Sequence, residues 1–142
     1  MARLKINLPA KFMFTSEFNI RISDINYGGH LGNDAVLSLA HELRLLYLQS
    51  MGFSELNCGG SGIIMTDAQI VYMSEAFHGD LLTGEIACEN ISAAGLDFVY
   101  RFISKKSGKE IARIKTGIVF FDYKNRKIMK TPAQFLEKIN QK

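Results

Sequence analysis

The sequence predicts an α+β fold in which an antiparallel sheet of about five strands is wrapped around one long central helix. Only one segment, residues 34 to 51, is both long and apolar at helical spacing. Most of the chain after it is rich in β-branched and aromatic residues and is interrupted only by short polar breaks. A sheet curled around the helix would cover the apolar surfaces of both elements.

The first predicted elements are a strand and the helix. Phe18–Ile22 alternates apolar and polar residues, which is the period of a half-buried strand. In Asp34–Met51 the apolar residues cover nearly every side, so we expect this helix to be buried. Asn33 or Asp34 can cap its start, and Gly52 stands where a glycine commonly ends a helix.

Four long strands and a short helix follow. The predicted strands are Ile63–Met73, Leu81–Ile91, Leu96–Ser104 and Ile111–Tyr123, and the predicted helix is Pro132–Ile139. One sheet cannot surround a helix completely. The apolar surface that it leaves uncovered, together with an open sheet edge, predicts a homodimer.

Length and composition indicate one globular domain over residues 1–142. Hydrophobic residues make up 47% of the chain and charged residues 22%, which argues against disorder. The first residues lack the apolar region of a signal peptide, and no apolar run is long enough to span a bilayer. We therefore expect a cytoplasmic protein without a membrane partner.

The net charge of +3 is unevenly distributed. Residues 1 to 100 contain 5 basic and 11 acidic residues, whereas residues 101 to 142 contain 12 basic and 3 acidic residues. A basic C-terminal third suits an anionic partner such as the phosphates of coenzyme A or an acidic carrier protein, although charge alone more often reflects a solvated basic surface without a partner. No nucleic-acid-binding signature is present, so we expect no nucleic-acid partner.

The two cysteines, Cys58 and Cys88, are isolated in the sequence. Neither belongs to a Cys-x-x-Cys pair or stands near a pair of histidines. Their spacing predicts free thiols rather than a disulfide, and it predicts no metal site.

A glycine-rich loop directly before the helix holds the densest group of polar residues that could carry chemistry. It spans residues 24 to 33 and contains Asp24, Asn26, His30 and Asn33 among Gly28, Gly29 and Gly32. A carboxylate, an imidazole and backbone N–H groups at a helix start are the parts that acyl transfer uses. Glycines let a ligand approach the backbone closely. Alternatively, the loop only turns and caps the helix.

This layout resembles the hotdog-fold thioesterases of the 4-hydroxybenzoyl-CoA thioesterase type. The resemblance extends from about Phe18 to Phe135 and includes the turn at residues 77–80. Asp24, Asn26, His30 and Asn33 are also similar to the Asp-x-Asn-x-His-Val-Asn-Asn signature of acyl-carrier thioesterases, with two extra residues between Asn26 and His30.

The resemblance implies hydrolysis of an acyl-CoA or acyl-carrier-protein thioester in a groove between two subunits of a homodimer, or of a tetramer made of two dimers. Asp24 would be the general base or the nucleophile. His30 or Leu31 would supply a backbone N–H that polarises the carbonyl, and Asn26 and Asn33 would order the loop or the substrate. Gly29 and Gly32 would border the substrate. Coenzyme A is part of the substrate, so no separate cofactor is implied.

Three further residues are candidates. A second branch of the superfamily uses a helical glutamate, which implies a catalytic role for Glu42; the other interpretation pairs Glu42 with Arg44 or His41. Lys105 and Lys106 are candidates for binding the coenzyme A phosphates.

Two other functions stay open. One is a non-catalytic hotdog module that binds acyl-CoA. The other is a hotdog hydratase or dehydratase, which is disfavoured because neither of its consensus segments is present. Retention of Asp24 in the loop favours an enzyme.

Overall fold

In the computed structural model, which describes residues 4–140, six antiparallel strands form one sheet accompanied by two α-helices. In chain order the elements are β1 (Phe14–Asn19), α1 (Asn33–Ser50), β2 (Gly62–Tyr72), β3 (Leu81–Glu89), β4 (Gly95–Ser104), β5 (Glu110–Asp122), β6 (Lys127–Met129) and α2 (Ala133–Ile139). The strand order is β1-β3-β4-β5-β2, and β6 pairs with the end of β5. β1 and β2 are therefore the outer strands of the sheet.

Helix α1 packs against one face of the sheet. Its buried residues recur every three or four positions, as in Val36, Leu39, Leu43 and Tyr47, and form a stripe along one side of the helix. Alternate residues of β4 point towards this stripe, and the ring of Phe98 meets that of Tyr47 edge to face at 6.4 Å between centroids. These contacts form the hydrophobic core.

The opposite side of α1 is open in the single chain, which differs from the expectation of a helix buried on every side. The exposed positions are Asn33, Asp34, Ser38, His41, Glu42, Gln49 and Ser50. The leucines that suggested burial all round, such as Leu37, Leu45 and Leu46, are half-buried at the border of the packed stripe.

The first strand begins four residues earlier than predicted and spans Phe14–Asn19. After it the chain turns through a short 3-10 helix, Ile22–Asp24, in which Ile22 is 71% exposed. The alternation that suggested a strand over Phe18–Ile22 is broken because the Asp24 carboxylate accepts the Arg21 N–H at 2.9 Å and bends the chain.

The start of helix α1 has a glycine cap and no side-chain cap. Gly32 is the cap residue, and neither Asn33 nor Asp34 caps the helix. At the other end Gly52 has a φ of +82°, the left-handed conformation predicted for it.

The other predicted strands are confirmed to within two residues at each end. β6 was not predicted, because three residues are too few to show an alternating pattern. It forms because Asp122 accepts the N–H groups of Lys124 and Asn125, at 2.9 and 3.0 Å, and folds the chain back onto β5.

A segment without regular structure, residues 4–13, crosses the sheet face opposite α1. Arg113 donates to the Ile6 carbonyl at 2.9 Å, and the Arg101 guanidinium lies 5.3 Å from the centre of the Phe12 ring. Arg101 and Arg113 are paired across β4 and β5. The chain itself therefore covers the outer face of the sheet around Arg101 and Arg113.

A buried arginine joins α1 to the sheet and to the loop that follows the helix. Arg44 donates to the Tyr100 hydroxyl and to the Glu55 carboxylate, each at 2.9 Å. Tyr100 also hydrogen-bonds Thr116 at 2.6 Å, and His41 meets the second Glu55 oxygen at 2.8 Å. Every buried charge in this group thus has a partner, as burial requires.

Candidate active site

Asp24 lies directly at the start of α1. The Gly32 N–H donates to the Asp24 carbonyl at 2.9 Å, which fixes the aspartate beside the first turn of the helix. The carboxylate is 8% exposed and is held mainly by the Arg21 backbone N–H at 2.9 Å. The Arg21 guanidinium is 73% exposed and approaches only to 3.4 Å, so its contribution is weak.

Asp24 and Glu42 face the same groove. This groove, which we call the Asp24 groove, has a volume of about 650 Å³ and runs between β1 and α1. Phe18 of β1 forms part of one wall, and Leu46 of α1 forms part of the other. Two carboxylates therefore border a single, partly apolar space.

Glu42 reaches the groove because of its position on the helix. It lies four residues after Ser38 and four before Leu46, so the three side chains share one side of α1. Within residues 4–140 its carboxylate has no hydrogen bond or ion pair. Arg44 and His41 both bind Glu55, so neither pairs with Glu42 in the single chain.

Asn26 folds the loop. Its side-chain oxygen accepts the Gly28 N–H at 2.9 Å and lies 3.4 Å from the His30 nitrogen, while its own N–H donates to the His30 carbonyl at 2.9 Å. Gly29, at the tip, has a φ of +85° and space around it, so its glycine is needed for conformation rather than for close packing.

The unpaired backbone donors lie in the first turn of α1. The Leu31 N–H donates to the Ala76 carbonyl at 2.7 Å and is therefore occupied. Ala35 and Val36 donate to the Gly32 carbonyl, at 3.1 and 3.4 Å. Among the described residues, the N–H groups of Asn33 and Asp34 have no acceptor, as is usual for a helix start.

His30, Leu31 and Asn33 line a second, smaller cavity of about 240 Å³. There the Tyr72 hydroxyl, at the end of β2, donates to the Asn33 carbonyl at 3.1 Å. The His30 ring is placed with its Nδ1 at 3.4 Å from the Leu31 carbonyl. The structure thus divides the predicted site between two cavities next to the same helix start.

The two lysines are not grouped around the groove. The Lys105 ammonium pairs with Glu17, which borders the Asp24 groove. Lys106 lines a separate surface cavity together with Glu75 and Asp80. Lys109 lines the same cavity, so two basic and two acidic residues surround it.

Arg21, Leu46 and Tyr72 are part of this region but were not predicted from the sequence. The spacing of Ser38, Glu42 and Leu46 was a usable signal, because residues four apart on a helix share a side. Tyr72 gave no such signal because it contacts Asn33, which is 39 positions away in the sequence. Arg21 gave none because its contact with Asp24 depends on a turn that the sequence did not predict.

In the part of the chain that the structure describes, no three His, Cys, Asp or Glu side chains are grouped as metal ligands. Likewise, none of the helices between residues 4 and 140 has the length and apolar character needed to cross a bilayer.

Solved structures share this fold. A 1,4-dihydroxy-2-naphthoyl-CoA thioesterase from Synechocystis matches with a TM-score of 0.82 and 24% identity, over 90% of this chain and 96% of that chain. A gentisyl-coenzyme A thioesterase matches with a TM-score of 0.77 and 16% identity, over 89% and 99%. A Staphylococcus aureus protein solved in complex with CoA matches with a TM-score of 0.81 and 16% identity, over 94% and 85%.

No curated protein gives a significant match to this chain. Residues 20–139, by contrast, match the sequence profile of the Thioesterase-like superfamily, which has the hotdog fold predicted from the sequence. The matched range contains the loop, both helices and strands β2 to β6, but not β1. The chain therefore belongs to the Thioesterase-like superfamily.

Proposed function

We propose that the protein hydrolyses an acyl thioester of coenzyme A or of an acyl-carrier protein, with the reacting carbonyl at the junction of Asp24 and α1. The observation that carries this proposal is the hydrogen bond from the Gly32 N–H to the Asp24 carbonyl, at 2.9 Å. It holds the backbone of Asp24 beside the helix start, where the N–H groups of Asn33 and Asp34 have no acceptor. A base and an oxyanion donor are the two parts that thioester hydrolysis needs.

In one route Asp24 is the general base. Its carboxylate takes a proton from water while the water oxygen adds to the carbonyl carbon. The C–S bond then breaks, and the leaving thiolate takes that proton from the Asp24 carboxyl group. In the other route the carboxylate attacks the carbonyl carbon itself, and the C–S bond breaks so that the thiolate leaves and takes up a proton from water. A water molecule then hydrolyses the mixed anhydride, which frees the acid and restores the Asp24 carboxylate. Both routes release one acid and one thiol.

The developing negative charge on the carbonyl oxygen would be stabilised by the Asn33 and Asp34 N–H groups and by the positive end of the α1 dipole. The Asp34 carboxylate lies in the same turn, but it is exposed, so water and salt screen its repulsion of the oxyanion.

The exposed side of α1 supports a second part of the proposal. In the assembled protein α1 is the central helix, and a second copy of the chain covers the surface that the single sheet leaves open. The smaller cavity, which His30 and Tyr72 line, also lies beside the outer strand β2.

Replacing Asp24 with asparagine tests the reaction. Asparagine keeps an oxygen that can accept the Arg21 N–H, so the loop should stay folded. We expect kcat to fall about 10²–10⁴-fold with little change in KM, because the lost group acts in the transition state. The assay follows thiol release from a panel of acyl-CoA substrates.

Glu42→Gln is the matched control, because Glu42 borders the same groove. A smaller effect there than in Asp24→Asn supports the proposal, whereas a larger one would move the catalytic carboxylate onto the helix. A parent protein that binds acyl-CoA but releases no thiol from any substrate would favour the non-catalytic module instead. Release of water from a 3-hydroxyacyl substrate would favour a hydratase.

A further inference from the structure

The β5–β6 hairpin, which comprises residues 122–130, carries basic residues that form no ion pair within residues 4–140. They are all exposed, and they are Lys124, Arg126, Lys127 and Lys130. By contrast, most basic residues of the preceding strands have a carboxylate partner, as do Arg101, Lys105, Arg113 and Lys115. Much of the unpaired positive charge of the C-terminal third is therefore concentrated on one hairpin.

The single carboxylate of the hairpin is occupied in shaping the turn. Asp122 accepts the N–H groups of Lys124 and Asn125 and the side-chain amide of Asn125. The hydrogen bonds from Asn125 are the main cause of the lowered pKa of Asp122, and the charge of Lys127 is the weakest of its causes. With four basic residues and one acidic residue, the hairpin has a net charge of +3.

The hairpin has the surface of a protein interface rather than of a small-ligand site. Ile128 and Tyr123 are 61% and 43% exposed among the charged residues. No residue of the hairpin lines the Asp24 groove or the cavities that contain His30 and Lys106. Small ligands bind in concave sites, whereas protein interfaces combine an apolar centre with a polar rim. This surface therefore fits an acidic protein better than the phosphates of coenzyme A.

Tyr123 fixes the hairpin to the start of β2. Its hydroxyl donates to the Ile63 carbonyl at 2.7 Å. Its ring lies against Gly62, where a Cβ atom would meet the ring at 2.6 Å. The position of the hairpin relative to β2 is therefore determined by the fold.

The hairpin is too far from Asp24 of its own chain to share a substrate with it. Asp24 lies beside the start of α1, to which Tyr72 at the other end of β2 is hydrogen-bonded. β2 has 11 residues and spans about 33 Å, at about 3.3 Å per residue. A phosphopantetheine arm has about thirteen bonds of about 1.5 Å between phosphorus and sulfur, so it reaches less than about 20 Å.

A second copy of the chain would bring the hairpin close to a site. β2 is an outer strand, and two copies that pair along its open edge about a two-fold axis run antiparallel. The Gly62 end of β2 in one copy then lies towards the Tyr72 end of β2 in the other. The hairpin of one copy and the helix start of the other come together in this way.

We propose that the β5–β6 hairpin is the docking surface for an acidic acyl-carrier protein, whose thioester is hydrolysed at Asp24 of the other copy. This inference rests on the proposed function and names the carrier of the acyl group. The basic residues steer and orient the acidic carrier, and Ile128 supplies an apolar contact at the centre of the surface.

Charge reversal on the hairpin tests the docking surface. Lys124→Glu combined with Lys130→Glu should raise KM for an acyl-carrier-protein substrate about tenfold or more, because steering of the carrier is lost. We expect little change in kcat, since the reacting groups are untouched. Hydrolysis of the same acyl group on N-acetylcysteamine should stay unchanged, because that thioester has no carrier to dock. Added salt should raise the parent's KM for the carrier substrate.

Lys5→Glu combined with Lys11→Glu is the matched control. Both lysines are exposed in the segment that crosses the other face of the sheet, and the change in net charge is the same. This variant should keep the parent's KM for the carrier substrate. Unfolding temperatures check that both double variants are folded.

A mixed dimer tests delivery to the other copy. One chain carries Asp24→Asn with an intact hairpin, and the other carries the hairpin changes with an intact Asp24; two different tags allow its purification. One of its two sites combines an intact Asp24 with the intact hairpin of the other copy, so about half of the parent's kcat/KM for the carrier substrate should remain. Activity no higher than that of the hairpin variant would overturn delivery across the dimer.

Four results would overturn the docking surface. They are an unchanged KM for the carrier substrate in the hairpin variant, an equal rise in both double variants, an equal rise for acyl-CoA, and hairpin-dependent binding to anionic lipid vesicles in preference to the carrier. The proposed function would survive each of them if the parent protein still hydrolysed acyl-CoA. If no thioester is hydrolysed, the Kd of the carrier protein measures docking, and a Kd raised only by the hairpin changes would support the surface and count against the enzyme.

Discussion

At the scale of single residues, the two thiols show how strongly the core controls reactivity. Burial raises the pKa of Cys58 to about 12, and the neighbouring Cys88 adds to the shift. Burial also raises the pKa of Cys88 to about 12, although the Tyr47 hydroxyl, 3.8 Å away, partly opposes it. Both thiols are free and stay protonated at neutral pH, and the thiolate is the reactive form.

Native protein treated with iodoacetamide at pH 8 should therefore remain unmodified for hours, as measured by intact mass. In urea at the same pH both cysteines become exposed with ordinary pKa values, so two alkylations per chain should appear within minutes. Rapid native labelling would show that the core opens around these residues.

Part of the site was predictable from residue types. Asp24, Asn26 and the glycines lie together in a loop at the helix start, and local sequence is enough to suggest this. The sequence could not show that the Leu31 N–H is occupied, because its acceptor, Ala76, is 45 positions away in a turn between β2 and β3. Nor could it show that Asp24 and Glu42 share a groove, since β1 closes that space.

At the scale of elements, Glu55 holds the loop after α1 against the helix through its contacts with His41 and Arg44. Burial alone would raise its pKa, but the hydrogen bonds from His41 and Arg44 outweigh burial and lower the pKa below the ordinary 4.5. A carboxylate with a lowered pKa stabilises the fold above its unfolded-state pKa. That stability is lost as the pH falls from about 4.5 through the folded-state pKa.

Glu55→Gln should lower the free energy of unfolding at pH 7 by about 1–3 kcal/mol, because the buried Arg44 loses its charged partner. Below pH 4.5 the gap between variant and parent should narrow, since the parent's carboxylate becomes neutral too. Urea unfolding followed by circular dichroism, at pH 7 and at a pH below 4.5, measures the difference in unfolding free energy between variant and parent.

Glu137→Gln is the control on an exposed residue of α2 and should leave stability at pH 7 almost unchanged. An equal loss in both variants, or a gap for Glu55→Gln that does not change with pH, would contradict the assigned role of the Glu55 carboxylate.

Most elements were predictable because long strands show their period over many residues, as in Ile111–Tyr123, observed as Glu110–Asp122. Boundaries that depend on tertiary contacts were not. Phe18–Ile22 has the right alternation, but pairing of Phe14 with Ile86 places the strand earlier. Likewise, the composition of α1 suggests a helix buried on every side. Because α1 packs on only one face of a single sheet, its opposite side is exposed.

At the scale of the whole molecule, the outer strand β2 leaves an open edge on the sheet. Its inner edge pairs with β5, and within residues 4–140 no strand pairs with its outer edge. Ile64, Met65 and Tyr72 of this strand are exposed, at 39%, 39% and 49%. An open edge of 11 residues with exposed apolar side chains is a surface on which strands of another copy can pair.

We therefore predict a dimer at micromolar concentration. Light scattering coupled to size exclusion should give twice the 15.9 kDa mass of one chain. The double change Ile64→Lys and Met65→Lys should shift the population to monomer, because lysines on an outer strand oppose pairing. Ile128→Lys alters a more exposed apolar residue on β6 and should leave the dimer intact.

A monomer in the parent protein would remove both the dimer and the proposed covering of α1. A dimer that withstands the double change would place the contact on another surface, such as the exposed side of the helix.

The segment over residues 4–13 has a consequence for synthesis on the ribosome. Ile6 finds its partner, Arg113, 107 residues further along the chain. At about 5–20 residues per second, translation of that stretch takes roughly 5–20 s. During this time Ile6 cannot contact Arg113, and β1 cannot pair until β3 has been synthesised. We therefore expect residues 4–13 to be among the last to adopt their final structure. Their docking depends on synthesis of β5 rather than on local structure.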